Sequence, residues 1–186
     1  MDRVSRVIVT GGPGSGKTSL IEVMMSKNFD VYPEVSRQLI QQEKQKPGGI
    51  LPWNDMSGFA RLCLKLMIKD WEKAADRSGK VFYDRGIPDI IAYLKLKNIE
   101  PHVELLEVIA QKRYHPVVFW CPPWEDIYKN DPERPQRFPE ALALGTELKK
   151  VYEKYQYSVV VMPKIPVLQR ADFILEHLDH HPLCRV

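Results

Sequence analysis

Short apolar runs alternate with amphipathic stretches along this chain. Val4–Thr10 (VSRVIVT) has no sustained polar face, the pattern of a strand buried on both sides. A helix is expected from Gly16 to about Ser26, then a short strand at Asp30–Tyr32 that stops at Pro33. Glu34–Gln45 reads as a second helix, ended by Pro47-Gly48-Gly49. Asn54 is the expected cap of a long third helix reaching about Asp76, with Phe59, Leu62, Leu66 and Ile68 as its apolar stripe.

The same rhythm continues to the end. Lys80–Tyr83 is a short strand, and helices follow after Pro88 and over Val103–Lys112. Pro116–Trp120 (PVVFW) is a strand, Pro139–Tyr155 a helix, Ser158–Met162 the last strand and Val167–His180 the last helix. Between them, Cys121–Phe138 is polar, charged and rich in proline, so a loop or lid is expected there. No tight hairpin signal separates the strands. Strands alternating with helices mean parallel strands joined by helical crossovers, an α/β sandwich with helices on both faces. The expected organisation is one domain over residues 1–180, a lid at about 121–138, and a flexible tail at 181–186.

Composition narrows the class. The chain has 186 residues, 44% hydrophobic and 27% charged, which suits an ordinary soluble domain with its own core. A net charge of +3 is too small to argue for nucleic acid, and none is expected as a partner. Cys63, Cys121 and Cys184 are widely spaced and odd in number, which points away from a disulfide framework or zinc site. That cysteine usage fits a reducing cytoplasm, the expected location, and no apolar run approaches membrane-spanning length.

Chemistry enters at Gly11-Gly12-Pro13-Gly14-Ser15-Gly16-Lys17-Thr18, which matches G-x-x-x-x-G-K-[ST]. The glycines let the backbone curl so that successive N–H groups face an anion, and the following helix points its positive end at the same place. Lys17 is expected on the outer phosphates, Thr18 on magnesium, and Ser19 beside the nucleotide. The motif follows an apolar strand and opens a helix, the context it requires. ATP or GTP with Mg2+ is the expected ligand.

Other candidates lie at the ends of later strands, where open α/β sheets place their ligands. Asp84 is expected to face the magnesium and Arg85 to clamp a phosphate. Glu34 can orient or deprotonate an acceptor, and Arg37 can hold a second anion or pair with Glu34. The lid carries Asp126, Asp131, Glu133, Arg134 and Arg137. Arg134 and Arg137 are expected to close over the transferred group. Trp53 is a candidate for stacking on an acceptor ring, with plain packing an equal reading.

With these residues in view, the chain resembles the small P-loop kinases. Asp84-Arg85 with Ala92-Tyr93 is similar to a signature of thymidylate kinases, although Asp89 stands where those enzymes usually carry serine. A longer ordered set also matches a known family. It comprises the glycine loop, Pro33-Glu34 with Arg37, Tyr83-Asp84-Arg85-Gly86, Pro88-Asp89, Ala92-Tyr93, Pro122-Pro123-Trp124, Ile127-Tyr128, Asp131, Glu133-Arg134 and Phe138. This set resembles the AAA-domain family of NadR and translocation-defect type. That resemblance implies a five-stranded parallel sheet of nucleotide-kinase type, order 2-3-1-4-5. It also implies either a phosphotransferase acting on a nucleoside- or nucleotide-like acceptor, or a nucleotide-dependent switch protein with slow hydrolysis and phosphoinositide as a further ligand. No C-terminal helical region of the kind a ring-forming ATPase needs is visible, and no guanine-reading N-K-x-D element stands out.

Overall fold

The computed structural model describes residues 4–128 and 137–180. The strands are β1 (Ser5–Gly11), β2 (Asp30–Tyr32), β3 (Lys80–Asp84), β4 (Val117–Cys121) and β5 (Ser158–Val161). All four pairings are parallel, in the order β2-β3-β1-β4-β5. The helices are α1 (Lys17–Ser26), α2 (Val35–Lys44), α3 (Met56–Lys73), α4 (Asp89–Leu96), α5 (Val103–Gln111), α6 (Phe138–Lys154) and α7 (Val167–His180).

Alternation along β1 builds both faces of the sheet. Val7 and Val9 pack with Leu20, Met24 and Ile174 under α1 and α7, whereas Ile8 joins the opposite core of Leu39, Phe59, Ile91 and Leu148. All three β1 residues are fully buried, as a central parallel strand requires. Three layers result, and every strand delivers its C-terminal end to one edge of the sheet. Among the described residues, no helix is long and apolar enough to cross a membrane.

Three expectations change in detail. Asp55, not Asn54, caps α3: its Oδ1 accepts from Gly58 N at 2.8 Å. Asn54 is still inside a turn, where its Oδ1 accepts from Leu51 N at 2.8 Å. The buried stripe of α3 is Phe59, Ala60, Cys63, Leu64 and Met67, while Leu62, Leu66 and Ile68 only flank it. Finally, β3 runs one residue further than expected, to Asp84, because Asp84 still pairs with Val9 of β1. Of the expected lid, residues 129–136 lie outside the described residues, as does the tail at 181–186. The remainder of that segment holds the end of β4, a 3-10 turn at Glu125–Ile127 and the start of α6.

Candidate active site

The loop from Gly11 to Thr18 joins β1 to α1 at the sheet's C-terminal edge. Its shape depends on absent side chains. A Cβ on Gly12 would lie 2.5 Å from the backbone carbonyl of Ala141 in α6. Gly16 sits at φ +76°, and a Cβ there would lie 2.7 Å from Nη1 of Arg170. Within the loop, Ser15 Oγ donates to Gly12 O at 2.8 Å, and Lys17 Nζ donates to Gly12 O at 2.7 Å and to Ser15 Oγ at 3.2 Å. The Tyr128 ring lies against Gly14, and it packs edge-on to Phe138 at 5.3 Å.

Lys17 is buried, and its ammonium titrates at about 8 instead of 10.5. Burial is the largest cause and the nearby Arg85 charge adds to it, against the opposing pull of Asp84, Glu34 and Cys121. Thr18 and Ser19 are exposed at the first turn of α1. Asp84 is buried at the end of β3, beside Val9.

Arg85 is the centre of a buried ionic cluster. Its backbone is left-handed at φ 75°, a conformation that costs a non-glycine residue about 1–2 kcal/mol and persists only where contacts enforce it. Here they do. The backbone N–H donates to Val9 O at 3.0 Å. Nε donates to Glu34 Oε1 at 2.9 Å, and Nη1 donates to Gly11 O at 2.9 Å and to Asp89 Oδ1 at 3.1 Å. Glu34 Oε1 also accepts from Ser36 Oγ at 2.6 Å. Asp89 further accepts from Thr10 Oγ1 at 2.7 Å, from Gly86 N at 3.0 Å and from the Tyr152 hydroxyl. Arg85 Nη2 is buried and makes no hydrogen bond among the described residues.

A cavity of about 500 Å3 opens beside this cluster. Arg85 and Asp89 form its buried end; Met56, Phe59 and Tyr93 supply apolar and aromatic wall, and Trp53 stands at the rim. Trp53 is 58% exposed, and Lys44 Nζ lies 5.6 Å from its ring centre. Arg37 is half-buried in the first turn of α2 and does not line the cavity. Arg137 is exposed at the start of α6, where its backbone N–H donates to Glu140 Oε2 at 2.9 Å. Asp126 Oδ2 accepts from Trp124 Nε1 at 3.1 Å. Asp131, Glu133 and Arg134 lie outside the described residues.

Two residues at this site receive no role from a reading of motifs. Asp89 was legible as part of the Pro88-Asp89 element and as a departure from a thymidylate-kinase pattern, without a role of its own, yet it ties β1, α4 and α6 together. Arg170 reaches from α7 to the back of the loop, where Nη1 lies 3.3 Å from Ser15 O and Nη2 lies 2.9 Å from Cys121 Sγ. A signal existed for it: Arg170, Ile174 and Leu178 recur every four residues on the buried face of α7, so a charge occupies a core position.

The fold is shared with solved kinases. Deoxyadenosine kinase from M. mycoides, solved with bound dATP, superposes with a TM-score of 0.63 at 11% identity, over 94% of this chain and 99% of that one. Thymidylate kinase from Candida albicans gives 0.63 at 12%, over 96% and 92%. Shikimate kinase from Aquifex aeolicus vf5 gives 0.60 at 20%, over 96% and 98%. At these identities the likeness is one of architecture. No curated protein matches the chain. A family model described as AAA domain matches residues 6–170, which takes in the glycine loop, the Arg85 cluster and the start of α7; the chain belongs to that family of P-loop proteins.

Proposed function

We propose that the protein is a phosphotransferase that moves the terminal phosphoryl group of ATP or GTP to a small nucleoside- or nucleotide-like acceptor. One observation carries this reading: the glycine loop with buried Lys17 lies next to a roomy, largely apolar cavity, and Arg85 belongs to both. A second compartment beside the phosphate loop is what an acceptor needs, and it supports transfer over nucleotide binding alone.

Gly11–Gly16 would cradle the phosphates with Lys17, and Ser19 would lie beside them. Thr18 and Asp84 offer a hydroxyl and a carboxylate, the hard oxygen donors that suit Mg2+, and they would hold it between loop and β3. Bound there, the ion would neutralise charge on the phosphate oxygens. Glu34 accepts hydrogen bonds from two cavity residues, Ser36 and Arg85, which supports its reading as the acceptor-side carboxylate. In transfer, the acceptor oxygen bonds to the terminal phosphorus, the bridging P–O bond breaks, and the hydroxyl proton passes to Glu34. Arg85 would orient the acceptor or the transferred group through Nη2.

The charge of Arg85 is already engaged by Glu34 and Asp89. That balance favours an acceptor presenting a hydroxyl over one presenting a second phosphate. Trp53, at the cavity rim, would stack on the acceptor; Arg37, which does not line the cavity, would serve only an anion outside it, and Arg134 and Arg137 would approach from the 121–138 segment. The free magnesium and nucleoside triphosphates this chemistry needs fit a cytoplasmic setting.

The test is a product screen. Labelled ATP and GTP are incubated with nucleosides, their monophosphates and nicotinamide riboside, with Lys17→Ala as control. A labelled acceptor formed by the wild type and not by the variant supports the reading. Triphosphate binding without transfer to any acceptor counts against it and leaves a nucleotide-dependent switch.

A further inference from the structure

We infer that Arg170 is a positioning residue of the phosphate loop, a cation that holds and polarises the loop from behind; this rests on the loop's reading as a triphosphate site. Arg170 is only 3% exposed, although it sits on the last helix, far from the motif in sequence. Its Nη1 lies 3.3 Å from Ser15 O and 3.5 Å from Gly16 O, and its Nη2 lies 2.9 Å from Cys121 Sγ at the end of β4. One planar fork thus bridges two loop carbonyls and the neighbouring strand, a task suited to arginine and not to lysine.

The direction of those carbonyls matters. In a trans peptide the C=O of one residue and the N–H of the next point opposite ways. Turning the carbonyls of Ser15 and Gly16 toward Arg170 turns the N–H groups of Gly16 and Lys17 away from it. Those are the donors that a phosphate nest uses. A cation hydrogen-bonded to the carbonyl end of a peptide strengthens donation from its N–H end. Arg170 therefore favours the loop shape that binds anions and sharpens its donors without touching the ligand.

Stability alone does not account for it. Arg170 Nε is buried without a hydrogen bond among the described residues, a poor use of a core position. An apolar side chain of similar volume usually serves a core at least as well as a buried charge. Gly16 fits the same picture, because any Cβ there would displace the guanidinium.

The test uses inorganic tripolyphosphate, which reports on the loop without base or acceptor. Its Kd is measured by calorimetry for the wild type and for Arg170→Gln, Arg170→Met and Arg170→Lys. Ile174→Ala serves as a packing control, since Ile174 is fully buried on the same face of α7. The neutral variants should bind at least about tenfold more weakly, the usual effect of losing a supporting partner behind a charged site, and lysine should recover part of the loss. Ile174→Ala should lower the melting temperature and leave Kd unchanged. The amide proton signals of Gly16 and Lys17 should shift upfield in Arg170→Gln. Wild-type affinity in both neutral variants would overturn the inference and leave the phosphate site standing. If Arg170→Met does not fold, Arg170→Gln against Arg170→Lys decides. A wild type that ignores tripolyphosphate removes the phosphate site and this role together.

Discussion

Arg85 Nε donates to Glu34 Oε1 at 2.9 Å, with both side chains buried, so the candidate base and the candidate anion clamp form one ion pair. Neither acts independently of the other. Glu34→Gln should keep triphosphate affinity, because the glycine loop is untouched. Transfer should fall by about a hundredfold or more through loss of the proton acceptor. Calorimetry and initial rates on the same preparation separate the two, and an undiminished rate would remove Glu34 from the chemistry.

Lys17 links binding to pH. Its folded-state pKa of about 8 lies below the unfolded value of 10.5, so between those values the unfolded chain holds more protons. Stability therefore rises with pH across that window, and the full penalty of the buried charge is carried below about pH 8. Lys17→Met should be more stable than the wild type at pH 7, by a margin of order 3 kcal/mol that closes toward pH 10.5. Phosphate charge beside Lys17 should restore its proton. Triphosphate binding at pH 8.5 should then take up a proton, visible as a heat that varies with buffer ionisation enthalpy. Equal heats in all buffers would contradict this account.

Asp89 is the hub that holds Arg85 in its left-handed turn. Asp89→Asn replaces one acceptor oxygen with a donor that would face groups already donating, Gly86 N–H and the Tyr152 hydroxyl or Thr10 Oγ1 and Arg85. It also leaves Arg85 with one carboxylate fewer. The expected loss is about 3–5 kcal/mol in urea unfolding. A change below about 0.5 kcal/mol would mean that the cluster tolerates the swap.

Gly12 offers a steric test. Its absent Cβ would meet a helix carbonyl at 2.5 Å, and neither backbone can yield easily. Gly12→Ala should cost about 1–3 kcal/mol of stability, as overpacking does, and should weaken triphosphate binding by displacing the loop. Gly48→Ala, in open space but at φ +70°, should lose stability without any effect on binding.

Much of this architecture was legible in the order of residues. Short apolar runs gave the strands and their parallel joining, and the glycine loop was recognisable because its residues are contiguous and flanked by a strand and a helix. Asp84 and Arg85 could be named as candidates because strand ends are where such folds gather ligands. What local pattern could not give were contacts made across the fold. Asp89 meets Thr10 and Tyr152 across 79 and 63 residues of chain, and Arg170 meets Ser15 from a helix 155 residues away in number. The cap of α3 was misplaced by one residue for a smaller reason: Asn54 and Asp55 are both good caps, and only the turn at Leu51 decides which one faces the free N–H groups.

The contact between Gly12 and Ala141 has a mechanical meaning. At this point the phosphate loop and α6 stand backbone to backbone, with no side chain between them to act as a cushion. A shift of the loop by even a fraction of an ångström is therefore delivered directly to α6. That helix begins immediately after the 129–136 stretch, carries Glu140, Ala143 and Leu144 along the cavity, and bears Tyr152 on the Asp89 cluster. Loop, cavity wall and ionic hub thus share one rigid strut, and a displacement at any of them is felt by the other two.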